Sequence, residues 1–504
     1  MTAPVRSGQS TRGASATLER YEAVIGIEVH CQLRTVSKMF CSCSTAYDGA
    51  PPNSHTCPVC LGLPGALPTI NRQAVEHVLT TGLAIGASAP PTTRRERKNY
   101  FYPDLPKGYQ ISQYEIPLMA NGTLTFDTSG GPVTVGIRRA HLEEDTAKLI
   151  HAEGADGRRV SLVDFNRSGV PLMEIVTEAD LRSAEASRRY AEELQLLLRT
   201  IGVSDADMER GQMRVEANVS IRPRGEQRLG IRVEVKNMNS FRSVERAIGF
   251  EIERQAELRD AGGAMVQETR GWSDDRGSTY PMRTKEDSED YRYFPEPDLP
   301  PLSVDRAWIE RLKARLPELP SARRGRYLTE RGLSSYDANV IVNDPRATEM
   351  FEAVLAADAS LPPKEVANWV TNEYLRLLGR VGGDGTGFSA PGDVPALIRL
   401  VVDGRITKAN AKEVFEAHVV DGRRVEEVIR ERGFHQISDA VSIDAIVDEV
   451  IAANPKAVAD YRAGKPVIGF FVGQVMKATR GQANAGLAEA AIRARLDGAG
   501  AGEG

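Results

Sequence analysis

The feature that most constrains the fold is a strict alternation of apolar and polar side chains over residues 213–222. The apolar members are Met213, Val215, Ala217, Val219 and Ile221, and the polar members are Arg214, Glu216, Asn218, Ser220 and Arg222. Successive side chains of a β-strand point to opposite faces, so this pattern predicts a strand in a half-buried sheet. Residues 231–236 repeat the pattern after a short connection, which predicts an antiparallel pair.

Residues 24–33 alternate in the same way and place Glu28 and His30 on a polar face, with Cys31 on the apolar face. Side chains two residues apart on a strand point the same way, with Cα atoms roughly 6–7 Å apart. Glu28 and His30 are therefore close enough to hold one metal ion. Taken alone, the segment fits an ordinary solvent-facing strand equally well.

Several strands carry polar faces of the same unusual composition, which favours a site over a solvated surface. Glu143, Glu144 and Asp145 are consecutive acids, whose repulsion a cation or solvent must relieve. Carboxylates suit Mg²⁺ and cationic side chains suit phosphates, so Arg214 and Lys236 become candidates for phosphate or carboxylate contact. The sequence has no Walker-type loop, so ATP chemistry would need a different scaffold.

The hydropathy pattern predicts an α+β chain of several domains, since 504 residues exceed one compact core. Residues 21–300 are strand-rich with one helical segment at 182–201, and amphipathic helices follow from residue 305. The expected parts are a disordered tail (1–18), a sheet domain (19–301), a helical domain (302–392) and a small helical tail domain (393–495). The composition of residues 1–18 also fits a short transit peptide. The glycine-rich segment 382–387 predicts a linker rather than a phosphate loop.

The net charge of −5 excludes bulk attraction to nucleic acid, so any RNA contact requires local basic patches. Residues 94–110 and 290–301 interleave cations with aromatic rings, which suits base stacking and anion binding. A third window, 461–482, is basic without acids. The candidates are Lys98, Tyr100, Lys465, Lys477 and Arg480 for tRNA, and Arg292 for an anion. No apolar run is long enough to predict a membrane span.

Four of the five cysteines form two close pairs, Cys41 with Cys43 and Cys57 with Cys60. Four thiolates satisfy tetrahedral zinc and leave no open position, so we expect a structural zinc ion in the loop 41–60. Four free thiols on a surface loop are the alternative. Cys31 is predicted to be buried, which leaves no cysteine nucleophile for releasing ammonia from glutamine.

Seven motifs together resemble one family, the B subunits of the amidotransferase that converts Glu-tRNA(Gln) and Asp-tRNA(Asn) to their amides. They are VIGIEVH (24–30), SKMF (37–40), RKNYFYPD (97–104), YQISQ (109–113), HLEED (141–145), DYRYFPEPD (290–298) and GQVMK (473–477). The resemblance implies a cradle-like domain on an open, mainly antiparallel sheet, then a helical domain and a tail domain that grips tRNA. It also implies a heterotrimer with an amidase partner, the A subunit, which supplies ammonia, and with a small C subunit.

The resemblance further implies that ATP and Mg²⁺ activate the side-chain carboxylate of a misacylated tRNA as an acyl phosphate. Roles carried over by motif make Glu28, His30 and Glu144 the expected Mg²⁺ ligands. The expected catalytic residues are Glu28, His30, Glu144, Glu209 and Glu216. The expected ATP and substrate contacts are Arg214, Lys236, Asn237 and Arg292.

Two other classes of protein compete with this interpretation. A non-catalytic, zinc-containing tRNA-binding factor explains the cysteines and basic patches but not Glu28 and His30. A synthetase-like ligase lacks its signature sequences, since SKMF (37–40) is only a partial match. The related archaeal protein has an inserted domain before the helical region, which this sequence lacks, so we expect a bacterial cytoplasmic protein rather than an organellar one.

Overall fold

The structure is a computed structural model that describes residues 19–154, 156–284, 290–381, 392–434, 440–479 and 483–498. Its contacts divide the chain into two compact units, Met1–Ser321 and Ala322–Gly504. The predicted tail (1–18) and the glycine-rich segment 382–387 lie outside the described residues. Across the described residues, helices that combine the length and apolarity needed to cross a bilayer are absent.

The first unit holds every strand found among the described residues. These are β1 (Tyr21–Gln32), β2 (Thr92–Thr93), β3 (Glu96–Asn99), β4 (Tyr109–Ser112), β5 (Met119–Thr128), β6 (Gly131–Glu144), β7 (Lys148–Glu153), β8 (Arg159–Asp164), β9 (Pro171–Thr177), β10 (Met213–Pro223), β11 (Val233–Met238), β12 (Glu268–Ser273), β13 (Ser278–Thr284), β14 (Phe294–Pro295) and β15 (Leu302–Ser303). Its helices are α1 (Arg72–Ala84), α2 (Ala184–Thr200), α3 (Phe241–Asp260) and α4 (Arg306–Lys313).

Eight strands form one open sheet in the order β13-β12-β11-β10-β1-β9-β6-β5. Only β11 and β12 run parallel to each other, and every other neighbouring pair in this sheet is antiparallel. The predicted α+β class and the open, mainly antiparallel sheet are therefore confirmed. The predicted pairing of the segments at 213–222 and 231–236 is confirmed as β10 with β11.

The apolar face of the sheet forms the core together with α1, α2 and α3. Ile25, Ile27 and Val29 on β1 are fully enclosed, as the alternation predicts. Cys31 is buried as well, with its Sγ 3.0 Å from Ser204 Oγ, and burial raises the pKa of its thiol to about 12. The polar side chains of β1 consequently all project from the opposite face.

The prediction of a single helix in this part of the chain is wrong. Helix α2 matches it and begins at Ser183, whose side chain accepts a hydrogen bond from the Ala186 amide. Helices α1 and α3 were missed, although the buried residues Val244, Ala247 and Ile248 of α3 already have helical spacing. Helix α4 follows the predicted boundary at 301, yet its Leu312 belongs to the core of the first unit.

Helices make up the regular structure of the described part of the second unit, which confirms the predicted change of pattern. They are α5 (Pro320–Thr329, which begins in the first unit), α6 (Ser335–Asn343), α7 (Pro345–Ala357), α8 (Pro363–Asn368), a π-helix (Trp369–Tyr374), α9 (Leu375–Val381), α10 (Val394–Val402), α11 (Lys408–Asp421), α12 (Val425–Arg432), α13 (Ala440–Ala453), α14 (Pro455–Arg462), α15 (Ile468–Ala478) and α16 (Ala485–Gly498). Helix α12 ends at Gly433, whose φ of 64° suits glycine. A division at residue 393 remains a prediction.

Candidate active site

The polar face of the large sheet forms the floor of a cleft of about 610 Å³. Strands β1, β6, β9, β10 and β11 all contribute side chains to it. The titratable residues of its wall are Glu28, His30, Lys98, Tyr100, Glu143, Asp145, Glu174, Arg214, Arg232, Glu216, Glu234, Lys236, Glu268 and Tyr291. So dense a set of opposite charges in one concave place is typical of a site that binds a polar, charged ligand.

Strand register brings His30 beside two carboxylates that are distant in sequence. His30 pairs with Glu174 on β9, and Glu174 pairs in turn with His141 on β6. The His30 Nε2 atom lies 3.6 Å from Glu174 Oε2 and 3.9 Å from Glu143 Oε2. One ligand atom from each of His30, Glu143 and Glu174 falls within 4.8 Å of the others, a spacing that one cation can bridge.

A second carboxylate group lies next to the first on β1, β10 and β11. Glu28 pairs with Glu216 across the strands, and one oxygen from each of Glu28, Glu216 and Glu234 lies within 4.8 Å of the others. Lys236 Nζ is 2.9 Å from Glu216 Oε2 and 3.3 Å from Glu234 Oε1. Asn218 donates a 2.8 Å hydrogen bond to Glu28. Lys236 therefore neutralises part of a group that otherwise consists of acids.

The surroundings drive the pKa values of these carboxyls apart. Burial raises the pKa of Glu28, and the nearby Glu174 and Glu216 raise it further. Burial opposes ionisation of Glu143 as well, but Lys98 and His141 outweigh it and lower its pKa to about 2. Glu143 is thus an ionised ligand, while Glu28 holds a proton more readily than an ordinary Glu.

The donor atoms of both groups suit hard cations. Carboxylate oxygens are the ligands that Mg²⁺ prefers, and a nucleotide supplies phosphate oxygens for the remaining positions. The His30 Nδ1 atom is buried without a hydrogen-bond partner, so the ring is held by its Nε2 side alone. The residues that could hold Mg²⁺ are thus His30, Glu143 and Glu174 in one group, and Glu28, Glu216 and Glu234 in the other.

The expectation that Glu144 joins Glu28 and His30 needs correction, because Glu144 faces the other side of the sheet. Its Oε1 accepts a 2.9 Å hydrogen bond from the Ile111 amide and forms an ion pair with Lys107. A bulge in β6 between Ile137 and Arg139 shifts the alternation by one residue. This shift brings Glu143 rather than Glu144 to the face that carries His30.

Three further predicted residues also lie away from the walls of the cleft. Glu209 is exposed in a turn, where its amide donates to Asp207. Asn237 is exposed with a φ of 63°, and its amide nitrogen lies 3.2 Å from the Tyr280 hydroxyl. Arg292 is exposed and its Nε lies 3.7 Å from Asp290 Oδ2. The structure therefore does not bring these three side chains together with Glu28 and His30.

The predicted Lys98, Tyr100, Arg214 and Lys236 do line the cleft. Arg214 Nη2 lies 3.2 Å from Asp145 Oδ1, which fixes the guanidinium beside His30. Burial opposes the charge of Lys98, but Glu143 and Glu174 outweigh burial and raise its pKa. Lys98 is therefore a permanently charged group over the first carboxylate group.

Sequence reasoning missed His141, Glu174, Glu234 and Tyr291. Glu174 and Glu234 each alternate with buried apolar residues in a short strand, which is the same signal that singled out Glu28. Their position beside His30 and Glu216 depends on the pairing of distant strands, which local alternation cannot supply.

The four cysteines of the loop 41–60 come together as predicted. Their sulfur atoms lie within 4.8 Å of one another, and Cys57 Sγ is 3.8 Å from Cys60 Sγ. A tetrahedral zinc site with Zn–S bonds of about 2.3 Å separates its sulfurs by about 3.8 Å, so the cluster fits zinc. Contact with Cys41 lowers the pKa of Cys60 to about 5, which favours the thiolate form that binds metal.

We expect Cys60→Ser to lose one equivalent of zinc and to loosen the loop without emptying the cleft. The Cys60 carbonyl accepts a 3.1 Å hydrogen bond from Ser168, so the loop is tied to the segment before β9. Elemental analysis and amide hydrogen exchange over residues 41–60 and 163–170 test this. Cys31→Ser is the control, because Cys31 is outside the cluster; equal zinc content in wild type and Cys60→Ser would refute a metal site.

The basic window of the second unit is partly described. Lys477 is exposed on α15, and Lys465 Nζ lies 2.7 Å from Asp460 Oδ1. Arg480 lies outside the described residues. Phe471 of the same helix is buried in the core of this part of the chain, whereas Phe470 is 45% exposed. The helix thus packs one face into its own domain and leaves a basic, partly apolar face to solvent.

His141 makes the stability of the metal-free protein dependent on pH. Burial lowers the pKa of His141, but the Glu174 and Glu143 carboxylates outweigh it and raise the pKa to about 9. The stabilisation is therefore complete below pH 6.5 and is lost as the pH rises to 9. In EDTA, we expect the free energy of unfolding to fall by roughly 3 kcal/mol across this interval. Urea denaturation measures it, and a His141→Gln variant should lack this component; identical pH profiles would contradict the assignment.

The fold and the cleft define a class of protein, a catalytic domain whose open sheet carries grouped carboxylates and a cysteine loop. The family model described as GatB/GatE catalytic domain matches residues 23–310, and the model described as GatB domain matches residues 349–496. Relatives named as the B subunit of an aspartyl/glutamyl-tRNA(Asn/Gln) amidotransferase agree with both matches. The chain belongs to the family of these amidotransferase B subunits.

The similarity to these relatives extends over almost the whole chain. The Moorella thermoacetica protein is 51% identical over 94% of this chain and 100% of its own length. The proteins of Carboxydothermus hydrogenoformans and Anaeromyxobacter sp. (strain K) are 47% and 50% identical, over 95% and 94% of this chain and 99% of their own lengths. The resemblance drawn from the seven motifs is therefore confirmed.

Proposed function

We propose that this chain is the subunit that converts misacylated Glu-tRNA(Gln) or Asp-tRNA(Asn) to the amide, using ATP and ammonia. The names of its relatives support this substrate class. The observation that carries the proposal is the pair of carboxylate groups in one cleft, each beside a lysine. A non-catalytic tRNA-binding factor has no need for this arrangement.

The chemistry requires the side-chain carboxylate to lose an oxygen atom, which it cannot do unaided. Transfer of the γ-phosphoryl group from ATP to a carboxylate oxygen gives an acyl phosphate and ADP. Ammonia then attacks the carbonyl carbon, the C–O bond to phosphate breaks, and the amide nitrogen loses a proton. Bound Mg²⁺ supplies charge neutralisation for the phosphoryl group.

The residues of this chain have distinct parts in that reaction. His30, Glu143 and Glu174 would hold one cation, and Glu28, Glu216 and Glu234 a second. Lys98, Lys236 and Arg214 are placed to contact phosphate or the substrate carboxylate. Glu28, whose pKa is raised, is the candidate to take up the proton that ammonia releases.

Ammonia has to come from another protein of the complex, because the cysteines offer no glutaminase nucleophile. Cys31 is buried with a raised pKa, and the other four lie in the metal cluster. The names of the relatives, which are parts of a larger enzyme, support an amidase A subunit and a small C subunit as partners. Their bacterial origin supports a place in the bacterial cytoplasm.

Basic and aromatic residues supply contacts for the tRNA. Tyr100 and Lys98 stand at the cleft, where they suit the acceptor end that carries the amino acid. Lys465, Lys477 and Arg480 form the basic window of the tail and suit backbone phosphates.

The test is amide formation by the assembled enzyme with ammonium chloride in place of glutamine. With misacylated Glu-tRNA(Gln) and ATP, we expect Gln-tRNA(Gln) together with ADP and phosphate. A glutaminase-inactive partner should leave this reaction intact. No amide from ammonia, or amide formed without ATP, would overturn the proposal.

A further inference from the structure

The β7–β8 hairpin presents an apolar face that no described part of the chain covers. These two strands pair with each other and belong to no larger sheet among the described residues. Ile150 lies opposite Leu162, and Ala152 lies opposite Val160, so all four side chains point to one face. Ile150, Leu162 and Val160 are 39%, 56% and 37% exposed.

The other face of the hairpin is polar. His151 Nδ1 lies 2.9 Å from Ser161 Oγ, and Glu153 lies opposite Arg159. The hairpin is therefore amphipathic, although its apolar face meets solvent. An isolated two-stranded hairpin is marginally stable at best, and a grouped apolar surface of this kind is typical of a protein contact.

The cysteine loop fastens the base of this hairpin. Asn53 holds the end of β8 in two directions: its amide donates to Asp164 Oδ1 at 2.9 Å, and its Oδ1 accepts from the Phe165 amide at 2.7 Å. The buried Lys38 donates to the carbonyls of His55 at 2.7 Å and Phe165 at 3.3 Å. The apolar face is thus held in one orientation before any partner arrives, which lowers the entropic cost of docking.

The hairpin also rises directly from the wall of the cleft. Asp145 and Thr146, which precede β7, both line the cleft. Arg167, which follows β8, donates to the carbonyls of Thr146 at 2.9 Å and Ala147 at 2.8 Å. A protein seated on the hairpin would therefore stand beside the place where ammonia is consumed.

We propose that the apolar face of the β7–β8 hairpin docks the ammonia-supplying subunit of the amidotransferase. The proposal rests on the proposed function, and the relatives' naming as one subunit of a larger enzyme supports the existence of such a partner. The face does not suit RNA, because its one cation, Lys148, lies opposite Asp164 and no aromatic ring is present.

Two neighbouring substitutions on β8 test this surface. Leu162→Asp places a charge on the apolar face, and Ser161→Asp places the same charge on the polar face as a matched control. Binding of each full-length variant to the purified amidase is measured by biolayer interferometry, with thermal melting as the check of folding. We expect Leu162→Asp to weaken binding at least tenfold and Ser161→Asp to change it less than twofold.

Activity separates this proposal from the proposed function. Leu162→Asp should lose glutamine-dependent amide formation at limiting partner concentration and keep ammonia-supported amide formation. Absence of the ammonia reaction in the unsubstituted enzyme would refute the proposed function, whereas the binding measurement would still judge the hairpin. Unchanged partner affinity, equal loss in both variants, reduced tRNA affinity alone, or a self-association that Leu162→Asp abolishes would each overturn the docking proposal.

Discussion

Glu143→Gln is expected to abolish amide formation while leaving tRNA binding unchanged. Glu143 is 3% exposed and ionised, and its two oxygens accept hydrogen bonds from Ser112 at 2.6 Å and Gln110 at 3.2 Å. These donors fix the carboxylate 3.9 Å from His30 Nε2. A neutral amide of the same shape keeps the packing but removes the charge that a cation needs.

The expected loss of Mg²⁺ affinity exceeds the 10–100-fold typical for changing a residue that only supports a ligand, so it should be more than about 100-fold. Metal affinity is measured by Mn²⁺ titration with electron paramagnetic resonance, and turnover by ammonia-supported amide formation. Glu209→Gln is the matched control, because Glu209 is an exposed carboxylate away from the cleft. Wild-type turnover in Glu143→Gln would remove Glu143 from the site.

Lys107→Met should lower the free energy of unfolding by about 3–5 kcal/mol, because it leaves Glu144 as an uncompensated buried charge. Lys107 and Glu144 form an ion pair in which the side chains are 12% and 4% exposed. Urea denaturation followed by tryptophan fluorescence measures the loss.

The double variant Lys107→Met/Glu144→Gln is the control for this effect. It removes both charges and retains an acceptor for the Ile111 amide, so it should recover most of the lost stability. A loss below about 1 kcal/mol in Lys107→Met would mean that the pair behaves as a solvated surface ion pair.

Local alternation was enough to predict the strands that carry the site. It placed Glu28 and His30 on the polar face of β1 and Glu216 on that of β10, and pairing then set Glu28 opposite Glu216. It also placed Cys31 in the core. These successes share a cause: one face of each strand is buried, and a two-residue period fixes which side chains share it.

Alternation failed at β6, where a bulge reverses the faces and the consecutive acids Glu143 and Glu144 give no period to follow. The contributions of Glu174 and Glu234 depend on which strands become neighbours, a long-range property of the fold. Arg292 was chosen for its aromatic setting, but the neighbouring Tyr291 is the side chain that reaches the cleft.

The central claim is that this cleft activates a carboxylate by phosphorylation. The most direct measurement supplies the assembled enzyme with γ-labelled ATP, Mg²⁺ and misacylated Glu-tRNA(Gln), without glutamine or ammonia, and adds hydroxylamine to trap an acyl phosphate. We predict a tRNA-linked hydroxamate and one equivalent of ADP with the wild type, and neither with His30→Ala at unchanged tRNA affinity. Trapped product in the His30→Ala variant, or none in the wild type, would contradict the account.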